Sequence, residues 1–123
     1  MTVQILYVDD DDDLREVALM ALGLDLDLVV TGCASGEEAV RAAAGLDPHL
    51  ILLDVMMPRM DGPATLAALR NLPHLAHVPV VFITARTQAR DAEPLLALGA
   101  LGIIAKPFDP MTLAQSVRDF LQR

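Results

Sequence analysis

Apolar positions along this chain follow two alternating patterns. Short apolar runs rich in Val, Ile and Leu alternate with segments in which apolar residues recur three and four positions apart, and the pair occurs five times. The first pattern is typical of buried strands and the second of amphipathic helices. The runs predicted to form strands are 3–8, 26–31, 50–53, 80–84 and 103–105. Strands that alternate with helices predict an α/β domain with a parallel sheet and right-handed crossovers.

Capping residues mark where several of the helices are predicted to begin. Ser35 and Glu38 form a Ser-x-x-Glu capping box ahead of the second helical segment. Asp61 is predicted to cap the third helix. Asp109 and Pro110 are predicted to be the N-cap and first residue of the last helix. These signals place a helix after each of the corresponding strands.

The fourth helical segment contains a proline. Pro94 lies a few residues before the predicted helix end near Leu98 and Gly99. Because proline lacks a backbone N–H, we expect this helix either to begin at about Pro94 or to be bent. The apolar faces predicted to pack on the sheet are Leu14, Val17, Ala18, Ala21 and Leu22 in the first helix, Leu66, Ala67 and Leu69 in the third, and Leu113, Val117, Phe120 and Leu121 in the last.

Composition narrows the class of protein. With 123 residues, 54% of them hydrophobic, the chain is predicted to form one domain, 1–123, with a full core. A net charge of −8 disfavours nucleic acid as a partner. No apolar run approaches the roughly 20 residues of a membrane-spanning helix, and no signal peptide is visible. The single cysteine, Cys33, suits a reducing compartment. We therefore expect a cytoplasmic protein that neither binds nucleic acid nor inserts into a membrane.

Chemically active side chains follow four of the predicted strands. Asp9 and Asp10 come after the first strand, Asp54 after the third, Thr84 ends the fourth, and Lys106 follows the fifth. Ligands of open parallel α/β sheets bind outside the carboxyl ends of the strands. We therefore expect these side chains to converge at one edge. The remaining acidic residues of the first cluster, 11–13, are assigned to the start of the first helix, where negative charge is favoured.

Three adjacent carboxylates predict a cation. Close carboxylates repel one another and raise each other's pKa, and a divalent ion removes that penalty. All-oxygen ligands without His or Cys favour Mg²⁺ or Mn²⁺ over Zn²⁺. A carboxylate such as Asp54 can act as a nucleophile toward a phosphoryl group. The ion, Lys106 and the Thr84 hydroxyl would then bind the three phosphoryl oxygens.

Four motifs, in this order and spacing, resemble those of one family. They are Val8-Asp9-Asp10, the segment LILLDVMMPRMDG at 50–62, Thr84-Ala85 and Lys106-Pro107-Phe108. Together they resemble the receiver domain of two-component response regulators, and the resemblance covers essentially the whole chain. It implies a flavodoxin-like (βα)5 three-layer sandwich whose parallel five-stranded sheet has the order 2-1-3-4-5.

The resemblance also implies a metal site. Asp54 would be the phosphorylated residue. Asp54 and Asp10 would bind Mg²⁺ through their side chains, Met56 through its backbone carbonyl, and Asp9 through water.

Further residues would bind the phosphoryl group and transmit the signal, again by resemblance. Lys106 would pair with the phosphoryl group, and its bond to Pro107 would be cis. Thr84 would be the switch hydroxyl, and Ala85 would be small enough to leave the site open. The chain departs from the family at Ile103, where a Tyr or Phe is usual. We therefore expect signalling to involve reordering of the segment 86–104.

The resulting hypothesis is a phosphorylation switch rather than a stand-alone enzyme. A histidine kinase or histidine phosphotransfer protein would supply the phosphoryl group, and the protein would be a monomer or weak dimer. Because the sequence ends soon after the last helix, we expect no output domain within it. It could be a natural single-domain regulator, a relay intermediate or a segment of a longer protein.

Two alternative functions stay open. The first is an Mg²⁺-dependent aspartyl phosphohydrolase, although such enzymes usually carry an acid where this chain has Met56. The second is a receiver-like scaffold that binds a partner without phosphorylation, which Ile103 favours and the intact acidic site disfavours.

Overall fold

The computed structural model describes residues 2–122, and these form a three-layer α/β structure. The strands are β1 (Val3–Val8), β2 (Leu28–Cys33), β3 (Leu50–Asp54), β4 (Val80–Thr84) and β5 (Gly102–Ala105). All neighbouring pairs are parallel, and the sheet order is 2-1-3-4-5. The predicted fold class and strand order are therefore confirmed. Among the described residues, no helix is long and apolar enough to cross a membrane.

Helices cover both faces of the sheet. They are α1 (Asp12–Gly23), α2 (Gly36–Ala43), α3 (Gly62–Arg70), α4 (Ala89–Ala97) and α5 (Leu113–Leu121), with a short 3₁₀ helix at Pro73–Leu75. One apolar cluster joins the sheet to α1 and α5, and another joins it to α2, α3 and α4. Every residue of β3 and β4 is buried, as expected for strands covered on both faces.

Three helix N-termini are capped by side chains, and two of these caps, Ser35 and Asp61, are as the sequence predicts. The side-chain oxygens of Asp11, Ser35 and Asp61 accept hydrogen bonds from backbone N–H groups three residues ahead. Glu38 reaches back to the backbone N–H of Ala34 at 2.9 Å, one residue before the Ser35 N–H that a capping box would bind. Local side-chain chemistry therefore fixes where α1, α2 and α3 begin.

The second strand begins later than predicted. It starts at Leu28, while Leu26 is 91% exposed in the preceding turn. Asp25 organises this turn, because its carboxylate accepts from the Asp27 N–H at 3.0 Å and its carbonyl accepts from the Leu28 N–H at 3.0 Å. An ion pair from Arg118 of α5 to Asp25, at 2.7 Å, holds the turn against the last helix.

The last helix also begins later than predicted. The prediction that Asp109 caps it was wrong, because α5 starts at Leu113 with Thr112 at its N-cap. Asp109 instead closes a separate turn: its carboxylate accepts from the Met111 N–H at 2.9 Å and its carbonyl from the Thr112 N–H at 3.1 Å. Aspartate caps isolated turns as well as helices, so the motif does not distinguish the two.

The fourth helix begins five residues before its proline. It runs from Ala89 and contains Pro94, so the first of the two expectations, a start at about Pro94, was wrong, and a bend at Pro94 stays a prediction. Only Leu95 of this helix is buried. The helix α4 is thus attached to the sheet by little apolar surface.

Two positions on the predicted apolar faces of other helices, Val17 of α1 and Ala67 of α3, are exposed.

Candidate functional site

The site lies at the carboxyl edge of the sheet, on the face covered by α1 and α5. Side chains two positions apart along a strand point to the same face. Tyr7 of β1, Leu52 of β3 and Ile104 of β5 pack on this face. Asp9, Asp54 and Lys106 each come two residues later, so their side chains lie on the same face. The strand order puts β1, β3, β4 and β5 side by side, so the three chain segments meet there.

Three carboxylates gather at this edge. One oxygen from each of Asp9, Asp10 and Asp54 lies within 4.8 Å of the others. Asp9 is fully buried and Asp54 is 3% exposed, whereas Asp10 faces solvent. The predicted convergence is therefore present for these three carboxylates.

A lysine bridges the two buried carboxylates. The Nζ atom of Lys106 lies 3.0 Å from Oδ1 of Asp54 and 3.3 Å from Oδ2 of Asp9. Burial acts to lower the pKa of Lys106, but its hydrogen bond to Asp54 and the charges of both carboxylates outweigh burial and raise it. Lys106 is therefore cationic and neutralises part of the acidic cluster. The peptide bond from Lys106 to Pro107 is cis, as the resemblance implies.

The environment of Asp54 makes its ionised form less favourable than in an exposed aspartate when no ion is bound. Burial, together with the charge of Asp9, raises the pKa of Asp54 to about 6, although Lys106 opposes the shift. Part of the Asp54 population is therefore protonated near neutral pH. A bound cation would favour the ionised form, which is the nucleophilic one.

This raised pKa predicts a pH-dependent stability. Since folded Asp54 binds its proton more tightly than unfolded Asp54, its contribution to stability is complete below the ordinary pKa of 3.8 and is lost as pH rises through about 6. The loss is on the order of 2–3 kcal/mol, at about 1.4 kcal/mol per pKa unit. We expect Asp54→Asn, which cannot titrate, to gain stability relative to wild type as pH rises. Urea unfolding in EDTA at about pH 4 and pH 7 gives the difference in unfolding free energy between the variant and wild type at each pH. An equal difference at both pH values would contradict the raised pKa of Asp54.

Several bonds fix the position of Asp9. Its Oδ1 accepts from the Asp11 N–H at 3.0 Å, and its Oδ2 accepts from the hydroxyl of buried Tyr7 at 3.1 Å. Its backbone carbonyl accepts from Nη1 of Arg15 at 2.8 Å. Burial, followed by the charge of Asp9, raises the pKa of Tyr7, so this hydroxyl keeps its proton and remains a donor.

The loop after Asp54 passes very close to the start of α3. A Cβ atom added to Gly62 would lie 2.6 Å from the carbonyl oxygen of Asp54 and 2.9 Å from Cα of Val55. The Gly62 N–H donates to the Val55 carbonyl at 2.9 Å. Arg59 in the same loop has φ 67°, in the left-handed region. The tight packing of this loop holds the Asp54 backbone in place.

A methyl group at position 62 should therefore disturb the site. We expect Gly62→Ala to destabilise the fold by about 2–4 kcal/mol, because both clashing atoms are backbone and cannot move aside. Gly45→Ala is the matched control, since nothing lies within 4 Å of the added Cβ. Urea unfolding compares the two variants, and a cost for Gly62→Ala as small as that of the control would refute the close approach.

Thr84 lies beside Asp54 in the sheet but on the opposite face. Asp54 pairs with Ile83 of β4, so Thr84 is one residue beyond that partner. Its hydroxyl is buried and accepts from the Arg86 N–H at 3.0 Å, which leaves its own proton free to be donated. Ala85 follows it and is exposed.

The last two predicted site residues occupy different environments. Met56, two residues after Asp54, is 65% exposed. Ile103 pairs with Phe82 across the sheet and packs half-buried against the cluster under α2, α3 and α4. Ile103 thus lies on the Thr84 face of the sheet, away from the carboxylates.

The donor set suits a hard divalent cation. Three carboxylates supply only oxygen, and the cluster holds no His or Cys. Octahedral Mg²⁺ with bonds of about 2.1 Å separates opposite ligand oxygens by about 4 Å. One oxygen from each of Asp9, Asp10 and Asp54 lies within 4.8 Å of the others, so that one ion could contact all three, and the exposed Asp10 gives an ion access from solvent.

Sequence reasoning missed three residues that shape the site: Tyr7, Arg15 and Gly62. Tyr7 could have been considered as a neighbour of Asp9, because it lies two residues earlier, near the end of the strand that Asp9 follows. Arg15 reaches the Asp9 carbonyl from the first turn of α1, and no local sequence signal marks that contact. Gly62 is the last residue of the 50–62 motif, and its close approach to Asp54 depends on tertiary structure.

Comparison with known proteins gives consistent relatives. A family model described as the response regulator receiver domain matches residues 5–118. The chain is 36% identical over 123 residues to the probable transcriptional regulator ycf27 of Porphyridium aerugineum, covering 98% of this chain and 48% of that protein. It is 39% identical over 124 residues to the DNA-binding response regulator MtrA of Mycolicibacterium smegmatis, covering 100% of this chain and 52% of that protein. The chain thus spans about half the length of these two relatives.

The relatives do not support the expectation that this chain does not bind nucleic acid. MtrA is named as a DNA-binding protein, while the expectation for this chain rests on its charge alone. It stays a prediction.

Solved structures agree with the observed fold. The chemotaxis protein CheY4 of Vibrio cholerae superimposes with a TM-score of 0.89 at 29% identity, over 98% of this chain and 99% of that chain. A putative response regulator of Chloroflexus aurantiacus superimposes with a TM-score of 0.86 at 30% identity, over the whole of both chains. With the family model spanning nearly all of the sequence, these findings show that the chain belongs to the response regulator receiver domain family.

Proposed function

We propose that the protein is a phosphorylation-dependent signalling switch that accepts a phosphoryl group on Asp54. The observation that carries this proposal is the arrangement of Asp54 between Lys106, 3.0 Å away, and the carboxylates of Asp9 and Asp10. A histidine kinase or histidine phosphotransfer protein is the proposed donor, as the receiver family implies.

Asp54, Lys106 and Thr84 have separate proposed roles in the phosphoryl transfer. An ionised oxygen of Asp54 forms a bond to phosphorus, the N–P bond of the donor phosphohistidine breaks, and the histidine leaves as a neutral imidazole after taking up a proton. Lys106, which already bridges two carboxylates, is placed to pair with a phosphoryl oxygen. The Thr84 hydroxyl, which accepts from the Arg86 N–H, can donate its own proton to a second phosphoryl oxygen.

Asp54 and Asp10, with the Met56 carbonyl, are the proposed direct ligands of Mg²⁺, and Asp9 is proposed to bind the ion through water. When bound, Mg²⁺ would neutralise charge on the phosphoryl oxygens and the carboxylates. In its absence Lys106 supplies only one positive charge to the three carboxylates.

Signal output is proposed to run through the segment 86–104. Only Leu95 of α4 is buried, so few apolar contacts hold this helix to the sheet. The segment begins next to Thr84, whose hydroxyl binds the Arg86 N–H. Movement of that hydroxyl toward a phosphoryl group would break this bond and release the segment. Ile103, which stands where the family usually has an aromatic residue, would respond to this movement through packing rather than through a polar contact.

Intact mass after incubation with acetyl phosphate tests the proposal. With Mg²⁺ the protein should gain about 80 Da, the mass of one phosphoryl group, and with EDTA it should gain nothing. No adduct on the wild-type protein would favour the phosphorylation-independent scaffold. Rapid hydrolysis of a phosphomonoester would favour the phosphohydrolase, although the position of its usual acid is held by the exposed Met56. A cytoplasmic location and a monomeric or weakly dimeric state stay predictions.

A further inference from the structure

The single tyrosine of the chain lies directly beneath the acidic site. Tyr7 is fully buried in β1, and its ring packs in the apolar cluster under α1 and α5. Its hydroxyl reaches out of that cluster and donates to Oδ2 of Asp9 at 3.1 Å. A buried carboxylate oxygen gains most from such a donor, since losing it leaves a charged group unsatisfied.

Asp9 shares Oδ2 between two donors of different mobility. The Tyr7 hydroxyl is fixed by the packed ring, whereas Lys106 Nζ, 3.3 Å from the same oxygen, sits on a flexible side chain that is 20% exposed. The other oxygen, Oδ1, accepts from the Asp11 N–H at 3.0 Å. A carboxylate has about four lone-pair sites, so one site on Oδ1 stays available.

We propose that Tyr7 is a positioning residue that keeps the Asp9 carboxylate oriented toward the ion site when Lys106 moves to the phosphoryl group. The inference rests on the proposed function. It extends that function to a residue that touches neither the phosphoryl group nor the ion.

Departure of Lys106 would leave Oδ2 of Asp9 with one donor fewer. A phosphoryl group on Asp54 offers the ammonium three charged oxygens, which draw it away from Asp9. Nearby Arg15 cannot take its place, because its Nη1 is bound to the Asp9 carbonyl at 2.8 Å and its Nη2 to Asp12 at 2.6 Å. Tyr7 then remains as the donor that holds Oδ2. Outer-shell donors of this kind typically change metal affinity 10–100-fold when they are removed.

The variant Tyr7→Phe tests the proposal, because it keeps the ring and removes only the donor. We expect its Mg²⁺ affinity, measured by calorimetry, to fall about tenfold in the presence of beryllofluoride, which stands in for the phosphoryl group, and by clearly less without it. A merely structural role would lower both affinities equally. Thr65→Val is the matched control, since Thr65 is also fully buried and donates its hydroxyl, at 2.7 Å, to the Asp61 carbonyl outside the site.

A second measurement uses the wild-type protein. Because the chain has one Tyr and no Trp, its tyrosine fluorescence reports on Tyr7 alone. We expect the emission to change when Mg²⁺ and beryllofluoride are added together, as Lys106 leaves the shared oxygen. Equal losses of affinity in both conditions for Tyr7→Phe, or an unchanged emission, would overturn the inference. Absence of Mg²⁺ binding and phosphoryl uptake in wild type would instead overturn the proposed function on which it rests.

Discussion

Asp54→Asn should take up no phosphoryl group from acetyl phosphate, whereas the wild-type protein gains about 80 Da. The amide oxygen of asparagine is neutral and a poor nucleophile, so no acyl phosphate can form. Asp9 cannot substitute, because its carboxylate is fully buried and both its oxygens accept hydrogen bonds from Tyr7 and Asp11. Intact-mass measurement gives the yield of adduct directly.

Asp61→Asn is the control for this variant. Asp61 caps α3 by accepting from the Ala64 N–H at 2.9 Å, and asparagine caps a helix about as well. We expect this control to be phosphorylated like the wild type. The assignment of Asp54 fails if its asparagine variant reaches the same adduct yield as the control.

The second large effect concerns the ion. We expect Asp10→Asn to weaken Mg²⁺ binding by at least about tenfold, because it removes one of three carboxylates, and the one exposed to the entering cation. Phosphoryl uptake at limiting Mg²⁺ should fall in parallel. Without Mg²⁺ the variant should be at least as stable as wild type, since repulsion from Asp9 and Asp54 is relieved.

Calorimetric titration with Mg²⁺ measures the change in affinity. Asp13→Asn is the matched control, since it removes an exposed aspartate of the same acidic run in the first turn of α1, outside the carboxylate cluster. Identical Mg²⁺ affinities for Asp10→Asn and Asp13→Asn would show that Asp10 is not a ligand.

The sheet could be predicted well from the sequence because burial on both faces leaves a strong pattern. The run 50–53 is apolar throughout, and the structure extends it by only Asp54. The fourth strand, Val80–Thr84, has the bounds predicted for it. Once the strands are known, the side chains at their carboxyl ends follow, which is why Asp9, Asp54 and Lys106 could be placed together.

The bounds that were wrong lie at turns that local sequence patterns do not identify. The start of β2 is delayed by a turn at Asp25, which Arg118 holds from the far end of the chain. The start of α5 is delayed by a turn at Asp109 that has the same capping chemistry as a helix. Local patterns describe neither the long-range ion pair nor the choice between two capped structures.

The electrostatics of the site also lay beyond the sequence. Whether Asp54 has a raised or a lowered pKa depends on its burial and on its distances to Lys106 and Asp9, which oppose each other. The contact from Tyr7 to Asp9 requires a ring orientation that spacing alone does not give. Sequence patterns could therefore predict which groups meet, whereas the structure was needed for how they interact.

Site mapping after phosphorylation tests the central claim most directly. Borohydride reduction converts an aspartyl phosphate to homoserine, and tandem mass spectrometry of the digested protein then locates the modified residue. We predict modification of Asp54 alone, and only when Mg²⁺ is present during the reaction with acetyl phosphate. Modification of Asp9 or Asp10 instead, or equal modification of Asp54 in EDTA, would contradict a site in which a shared cation activates one carboxylate.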